Sequence, residues 1–411
     1  MPGPTSPSPE QRGPSPLNCW PTPPQRLLLR AALLQDDGAT SAWRAWRSAV
    51  DLDRLDAESV RMLGLLYGNL VARGIADPLL GRLRGIHRDL WLKNQLRLRA
   101  VARPLAALAD AGLEIMLLKG SALLLHAYAS FGLRAVADVD VLVRVERVGD
   151  ALALLERLGW RPIFYNGRAR MTPGYLATEH AVGLRNPAGE ELDLHWHVMP
   201  ECVRPGADES FWQHAAWIEH QGLAVRVLDD TDQLLHVLAH GIKFESAPKL
   251  RWAADALTIL RKPGTRIDWE RFVGQTRELR LVAPVREGLA YLRQHLAAPI
   301  PSAPVRRLDA VRLSAIERFD HHLRTTAHDL TFVNVLARMW FWHRRLSPTT
   351  APLRLLATFP QFTRRYYELD HLAQLPAHAL ARGVARIRRR PPPRRSTASR
   401  WRPRSAPPTA R

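Results

Sequence analysis

The sequence predicts an α+β protein, a small mixed β-sheet flanked by an N-terminal and a C-terminal helical region. Three observations carry this. Residues 25–111 and 230–373 repeat apolar side chains at spacings of three and four, the helical period. Between them, residues 112–229 change to short apolar or alternating runs broken by Gly, Pro and Asn, the pattern of strands and turns. With 46% hydrophobic and 24% charged residues in a chain of 411, there is enough apolar material for a sizeable core.

Taken in order, residues 1–24 are rich in Pro, Ser and Gly and read as a disordered head. The N-terminal helical region follows with RLLLRAALL, SAWRAWRSAV and ESVRMLGLLYGNLVARG, then a long helix from about residue 78 to 110, interrupted or bent near Pro104. Its Trp and Leu positions read as core. In residues 112–229 strands are expected at 114–118, 138–144, 160–165, 179–185, 190–198 and 223–228, with helices at about 121–129 and 147–158. NPAG at 186–189 reads as a hairpin turn. The C-terminal helical region opens with DQLLHVLAHGIKF, capped by Asp230 or Thr231, and continues through RWAADALTILR and VAPVREGLAYLRQHL. Residues 385–411 are basic and broken by proline, hence a disordered tail. No internal repeat is present.

The formal net charge is +20. About half of the excess sits in the arginine-rich tail, where no acidic residue follows Arg382; the rest is spread over Arg/Leu-rich helices. Such basicity draws acidic surfaces nonspecifically and does not by itself define a nucleic-acid site. Two cysteines, Cys19 and Cys202, argue against a disulfide framework and fit a reducing compartment. No run reaches the roughly 18 apolar residues needed to span a bilayer, and the Pro-rich start lacks the apolar stretch of a secretory signal. A cytoplasmic protein without a membrane partner is expected.

The chemistry concentrates in residues 114–144, EIMLLKGSALLLHAYASFGLRAVADVDVLVR. They read as a strand, a small-residue turn at Lys119, Gly120 and Ser121, a short helix, a loop around Gly132, and a strand carrying Asp138 and Asp140. Strand side chains two apart point the same way. Two carboxylates so placed repel unless a cation or a proton joins them. The Gly-Ser turn can offer backbone N–H groups to a phosphate. A later strand, EELDLHWHV, puts Glu191, Asp193, His195 and His197 on one face and Leu192, Leu194, Trp196 and Val198 on the other. If the two strands are neighbours, Asp138, Asp140 and Asp193 form a three-carboxylate set. Such a set suits Mg²⁺, which favours carboxylate oxygens and retained waters, and can serve two ions bridged by a carboxylate. Zinc on Asp193, His195 and His197 is the weaker reading, because no further His/Cys cluster follows at the usual spacing. His240 reads as a packed helix histidine, Asp255 as an i,i+4 partner of Arg251. Arg134 either serves the site or pairs with Asp138 or Asp150.

Together, LLKGSALL (117–124), GLRAVADVDVLV (132–143), ELDLHWHV (191–198), AHGIKF (239–244) and RWAADALTIL (251–260) resemble the polymerase-β-type nucleotidyltransferase superfamily and, more narrowly, its group of uncharacterised nucleotidyltransferases. The agreement runs from about residue 26 to about 373 and is best over 113–260. The resemblance implies a nucleotidyltransferase core at 112–229 that moves NMP from an NTP, the nucleotide substrate, with two Mg²⁺ ions expected. By position it implies that Asp138, Asp140 and Asp193 are the catalytic, metal-binding residues, with Asp193 also a base toward the acceptor hydroxyl. It places Gly120 and Ser121 at phosphate, and Lys119 and Arg134 at the triphosphate charge. Two features depart from the pattern. The spacing from Ser121 to Asp138 exceeds that of compact members, and the turn runs into Ala122 and three leucines, which leaves few side chains to grip phosphate.

Two other functions are compatible with the same residues. One is a regulatory or nucleic-acid-binding protein that keeps the fold without turnover; the other is a protein AMP-transferase of toxin–antitoxin type. Acceptor choice, whether small molecule, protein or RNA, is shaped by flanking helices and is not written in the motifs.

Overall fold

The computed structural model describes residues 18–163, 171–244, 247–326, 332–347, 349 and 351–378. The expected disordered tail at 385–411, and the expected head as far as residue 17, lie outside these. The described residues hold seven strands: β1 (Ile115–Leu118), β2 (Val139–Val143), β3 (Arg161–Ile163), β4 (Ala181–Arg185), β5 (Glu191–His195), β6 (Ala216–His220) and β7 (Leu223–Val227). They form one sheet in the order β3-β4-β5-β2-β1-β7-β6. The β1–β2 pair is antiparallel, while β1–β7 and β2–β5 are parallel, so the centre is mixed, as the expected α+β class requires.

Alternation along the central strands assigns each face. Ile115, Leu117, Val139, Val141, Val143, Leu192 and Leu194 pack with Val101, Leu105 and Leu108 of the helix Leu80–Asp110 and with Val148, Ala151 and Leu155 of the helix Val148–Arg157. The opposite face sends Met116, Leu118 and Leu142 into a larger core. That core joins Leu28, Trp43, Trp46 and Leu66, from before the sheet, to Leu234, Leu238, Trp252, Ile259 and Leu289, from after it. The helices before Leu80 and those that follow the sheet therefore share one layer, while the end of the helix Leu80–Asp110 covers the other face. Residues 18–22 of the expected head pack on this layer: Trp20 stacks on Tyr291 at 5.5 Å and meets Trp252 edge-on at 6.0 Å. The backbone N–H of Cys19 donates to the Thr325 carbonyl at 2.8 Å, and the first helix begins at Pro23.

Several local expectations meet specific outcomes. The long helix runs 31 residues without interruption at Pro104; Pro104 itself and Leu105 and Leu108 beyond it are buried in the core. The NPAG turn forms: Asn186 bonds Glu190 through its backbone N–H at 3.1 Å, and its side chain accepts from the Glu190 N–H at 2.9 Å. The N-cap of the helix Asp230–Gly241 is Asp229, not Asp230 or Thr231; its carboxylate accepts from the Asp232 N–H, while Asp230 is engaged by His126 and Lys262. β6 is absent from the expected strands. It pairs with β7 through Gln221 and Gly222, at φ +53° and +78°, two left-handed residues that match the right-handed twist of a tight hairpin. No helix among the described residues is long and apolar enough to cross a membrane.

The helices Asp230–Gly241 and Arg251–Arg261 form the wall facing the acidic end of the sheet. Gly241 allows their close approach, since a Cβ there would run into the Trp252 side chain. Gly241→Ala should therefore lower stability by about 1–3 kcal/mol through overpacking, measured as a reduced urea midpoint by far-ultraviolet circular dichroism.

Candidate active site

Strand pairing brings the distant acidic residues together. Parallel β2 and β5 put Asp140 directly beside Asp193. Antiparallel β1 puts Leu118 opposite Asp140, so Lys119, the next residue, starts within reach of both. One ligand atom each from Asp140, Asp193 and His195 lie within 4.8 Å of one another. Asp138 precedes the first residue of β2 and is half-buried, outside this tight group; it shares with Asp140 the wall of a cavity of about 170 Å³.

Lys119 reaches into the group. Its Nζ donates to Asp140 Oδ1 at 2.5 Å and lies 3.2 Å from His195 Nε2, itself 3.1 Å from Asp140 Oδ1. The other ring nitrogen, His195 Nδ1, is 3.2 Å from the His197 carbonyl. A carbonyl can only accept, so Nδ1 carries the proton of the neutral ring and Nε2 presents its lone pair to the ammonium. Burial and Lys119 lower the His195 pKa and favour that neutral ring. Burial alone would raise the Asp140 carboxyl, but the Lys119 ammonium outweighs it and holds it well below the usual carboxylate range. Asp193 has no such partner and is pushed up to about 7 by burial and by Asp140. Asp138 is raised for the same two reasons. Asp140 Oδ2 is buried without a hydrogen-bond partner.

The turn between β1 and the helix Lys119–His126 is built tightly. Lys119 has φ +47°, a left-handed backbone that a residue with a Cβ adopts at a cost. At Gly120 a Cβ would stand 2.5 Å from Arg134 Nη1. The helix has Leu118 as N-cap and no side-chain cap, which leaves first-turn amides open to an anion. Ser121 is fully buried, and its hydroxyl donates back to the Leu118 carbonyl at 3.1 Å.

Arg134 pairs with neither Asp138 nor Asp150. Its Nε and Nη2 donate to the two oxygens of Asp255 at 2.7 and 2.8 Å, and the Tyr128 hydroxyl donates to the same carboxylate at 2.7 Å. Asp255 is thus not an i,i+4 partner of Arg251: the helix carrying it lies over the loop after the helix Lys119–His126, and a long-range bidentate pair displaces the local one. Burial opposes the charge on Arg134, yet Asp255 raises its pKa further. His197 turns away, with Nδ1 on Asp208, so Asp193, His195 and His197 do not assemble as a zinc triad.

The cavity also holds His236, which sequence reasoning passed over, and His240, which it read as a packed helix histidine. His236 and His240, four apart on the helix Asp230–Gly241, line it together with Lys249 and Arg251, and their rings stack at 5.9 Å. His236 is 2% exposed with Nε2 unpartnered. The i,i+4 spacing of the two histidines was the available signal.

A mixed sheet that aligns acidic residues of two parallel strands beside an open Gly-Ser helix start is the framework of a nucleotidyltransferase. Residues 50–297, more than half of the chain, match the family described as "Uncharacterised nucleotidyltransferase", and the chain belongs to that family. No curated protein matches it. Among solved structures it is similar to an antigenic nucleotidyltransferase-like protein from Paracoccidioides brasiliensis, with 18% identity over 51% of this chain and 97% of that one, at a TM-score of 0.34.

Burial and, second, Lys119 lower His236 to about 3, so the folded state refuses a proton that the unfolded chain accepts below about pH 6.5. The sign is therefore loss of stability as pH falls. Relative to His236→Gln, the wild type should lose about 2 kcal/mol between pH 6.5 and 5, measured by urea unfolding at both pH values.

Proposed function

We propose that the protein is a divalent-cation-dependent nucleotidyltransferase that moves NMP from an NTP to an acceptor hydroxyl or phosphate, with Mg²⁺ as the ion. One observation carries the reading: the in-register pair Asp140 and Asp193, with Asp140 Oδ2 buried and unpartnered. A buried carboxylate oxygen without a donor is costly unless a cation meets it. The donor set fits, since carboxylates suit Mg²⁺ and an imidazole beside them also admits Mn²⁺. Asp140, through its unpartnered Oδ2, and Asp193 would hold the ion, with His195 beside them and Asp138 at the cavity wall completing the acidic set.

When bound, the ion neutralises triphosphate charge and favours the ionised acceptor oxygen. The chain's own residues do the rest. First-turn amides at Gly120 and Ser121 cradle the leaving β- and γ-phosphates, and the basic wall of Lys249 and Arg251 faces the same space. Lys119 and Arg134, each already engaged by a carboxylate, set the positive field behind the phosphates. The acceptor oxygen attacks the α-phosphorus, the bond to the β-phosphate oxygen breaks, and pyrophosphate leaves. The acceptor proton passes to Asp193, the carboxylate in register beside Asp140. The acceptor is a small molecule, protein or RNA, to be read from where label travels.

With α-³²P-labelled NTPs, Mn²⁺ or Mg²⁺ and cell lysate, label should enter one acceptor class and pyrophosphate should appear. Asp140→Asn and Asp138→Ala should each reduce metal-dependent turnover by at least about 10²-fold while the circular dichroism spectrum stays native. Turnover undiminished in both variants would remove this reading.

A further inference from the structure

We propose that Lys119 fills one of the two cation positions of the acidic cluster, so that the protein binds a single divalent ion and its own ammonium stands in for the second. This rests on the metal-dependent reading above and departs from the two ions expected of such a site. The Lys119 Nζ sits where an ion would: 2.5 Å from Asp140 Oδ1 and 3.2 Å from the bare Nε2 of His195. Two donors that would ligate a metal converge instead on a covalently tethered cation.

Three independent features support the assignment. First, the backbone at Lys119 takes φ +47°, at a strand-to-helix turn where glycine is the default. A lysine held there at a steric cost implies that its side chain is needed at that point. Second, Asp140 divides its two oxygens. Oδ1 meets the ammonium, and Oδ2 is buried without a partner, which leaves one ligand position open. Third, the charges balance. The carboxylates of Asp138, Asp140 and Asp193 carry three negative charges, which one ammonium and one divalent ion neutralise. A second divalent ion beside the ammonium would over-neutralise the cluster in a buried setting.

Binding of Mn²⁺ alone, counted by equilibrium dialysis with atomic absorption and followed by calorimetry, tests this without reference to turnover. Wild type should bind one Mn²⁺ per chain. Lys119→Met keeps the length of the side chain without its charge, and should either take up a second Mn²⁺ or bind the first about tenfold more tightly. Two ions on the wild type, or a Lys119→Met variant unchanged in both count and affinity, would overturn the assignment and leave the metal-dependent reading standing. No Mn²⁺ on the wild type would overturn both. The wild-type count decides even if Lys119→Met fails to fold.

Discussion

Everything at the acidic end of the sheet answers to one electrostatic constraint. Asp140 and Asp193 stand in register on adjacent parallel strands, with ligand atoms no more than 4.8 Å apart. At that separation two ionised carboxylates repel by about 3 kcal/mol even at an effective dielectric of 20. The chain relieves half of this internally. Lys119 keeps Asp140 ionised, whereas Asp193 has no cation of its own and is pushed up to about 7. The strained Lys119 backbone and the neutral His195 ring both follow from the need to bring positive charge and lone pairs to this point. So does the missing Cβ of Gly120, which lets Arg134 pass behind the turn.

The second organising interaction is the Arg134–Asp255 pair. Both side chains are buried, the pairing is bidentate, and Tyr128 adds a third hydrogen bond. Removing one partner of such a pair strands a charge and costs about 3–5 kcal/mol, whereas the intact pair contributes little net stability. Its effect is therefore positional. It clamps the helix Arg251–Arg261 over the loop between the Gly-Ser helix and β2, and so sets the width of the cavity between the acidic strands and Lys249, Arg251 and His236. Arg134 lines the cavity and, through Asp255, also rivets its wall.

What could be read in advance divides along the same physical line. Strand alternation in VDVLV and ELDLH announced which faces were apolar and put Asp193 and His195 on one side of their strand, because period two depends only on local geometry. The Gly-Ser turn and the NPAG hairpin were legible for the same reason. That Asp140, Asp193 and His195, rather than Asp138, Asp140 and Asp193, form the tight group follows from the pairing of β2 with β5. Asp255 was misjudged because Arg251 is its near neighbour in sequence, whereas Arg134, its true partner, is joined to it only by tertiary packing. β6 was missed since AWIEH is an edge strand with Trp217 and Glu219 turned to solvent, and its hairpin uses Gln-Gly rather than a stronger turn pair. His236 was passed over because a histidine on a helix announces nothing until its surroundings prove polar and enclosed. The lysine's bond to Asp140 could not be foreseen either, since a left-handed backbone at a non-glycine residue leaves no mark in the sequence.

The shared core of the two helical regions has a consequence for how the chain is made. Leu28, Trp43 and Trp46 find their partners in Trp252, Ile259 and Leu289, which emerge from the ribosome only after the whole sheet has been synthesised. Until then the first helices cover one another only in part and leave the remaining apolar surface exposed. Contacts of such long sequence separation are slow to close, and chains waiting with uncovered hydrophobic surface are those that aggregate or engage chaperones. Assembly of the layer that closes over the acidic strands is therefore a late event, completed only when the helices before the sheet meet those that follow it.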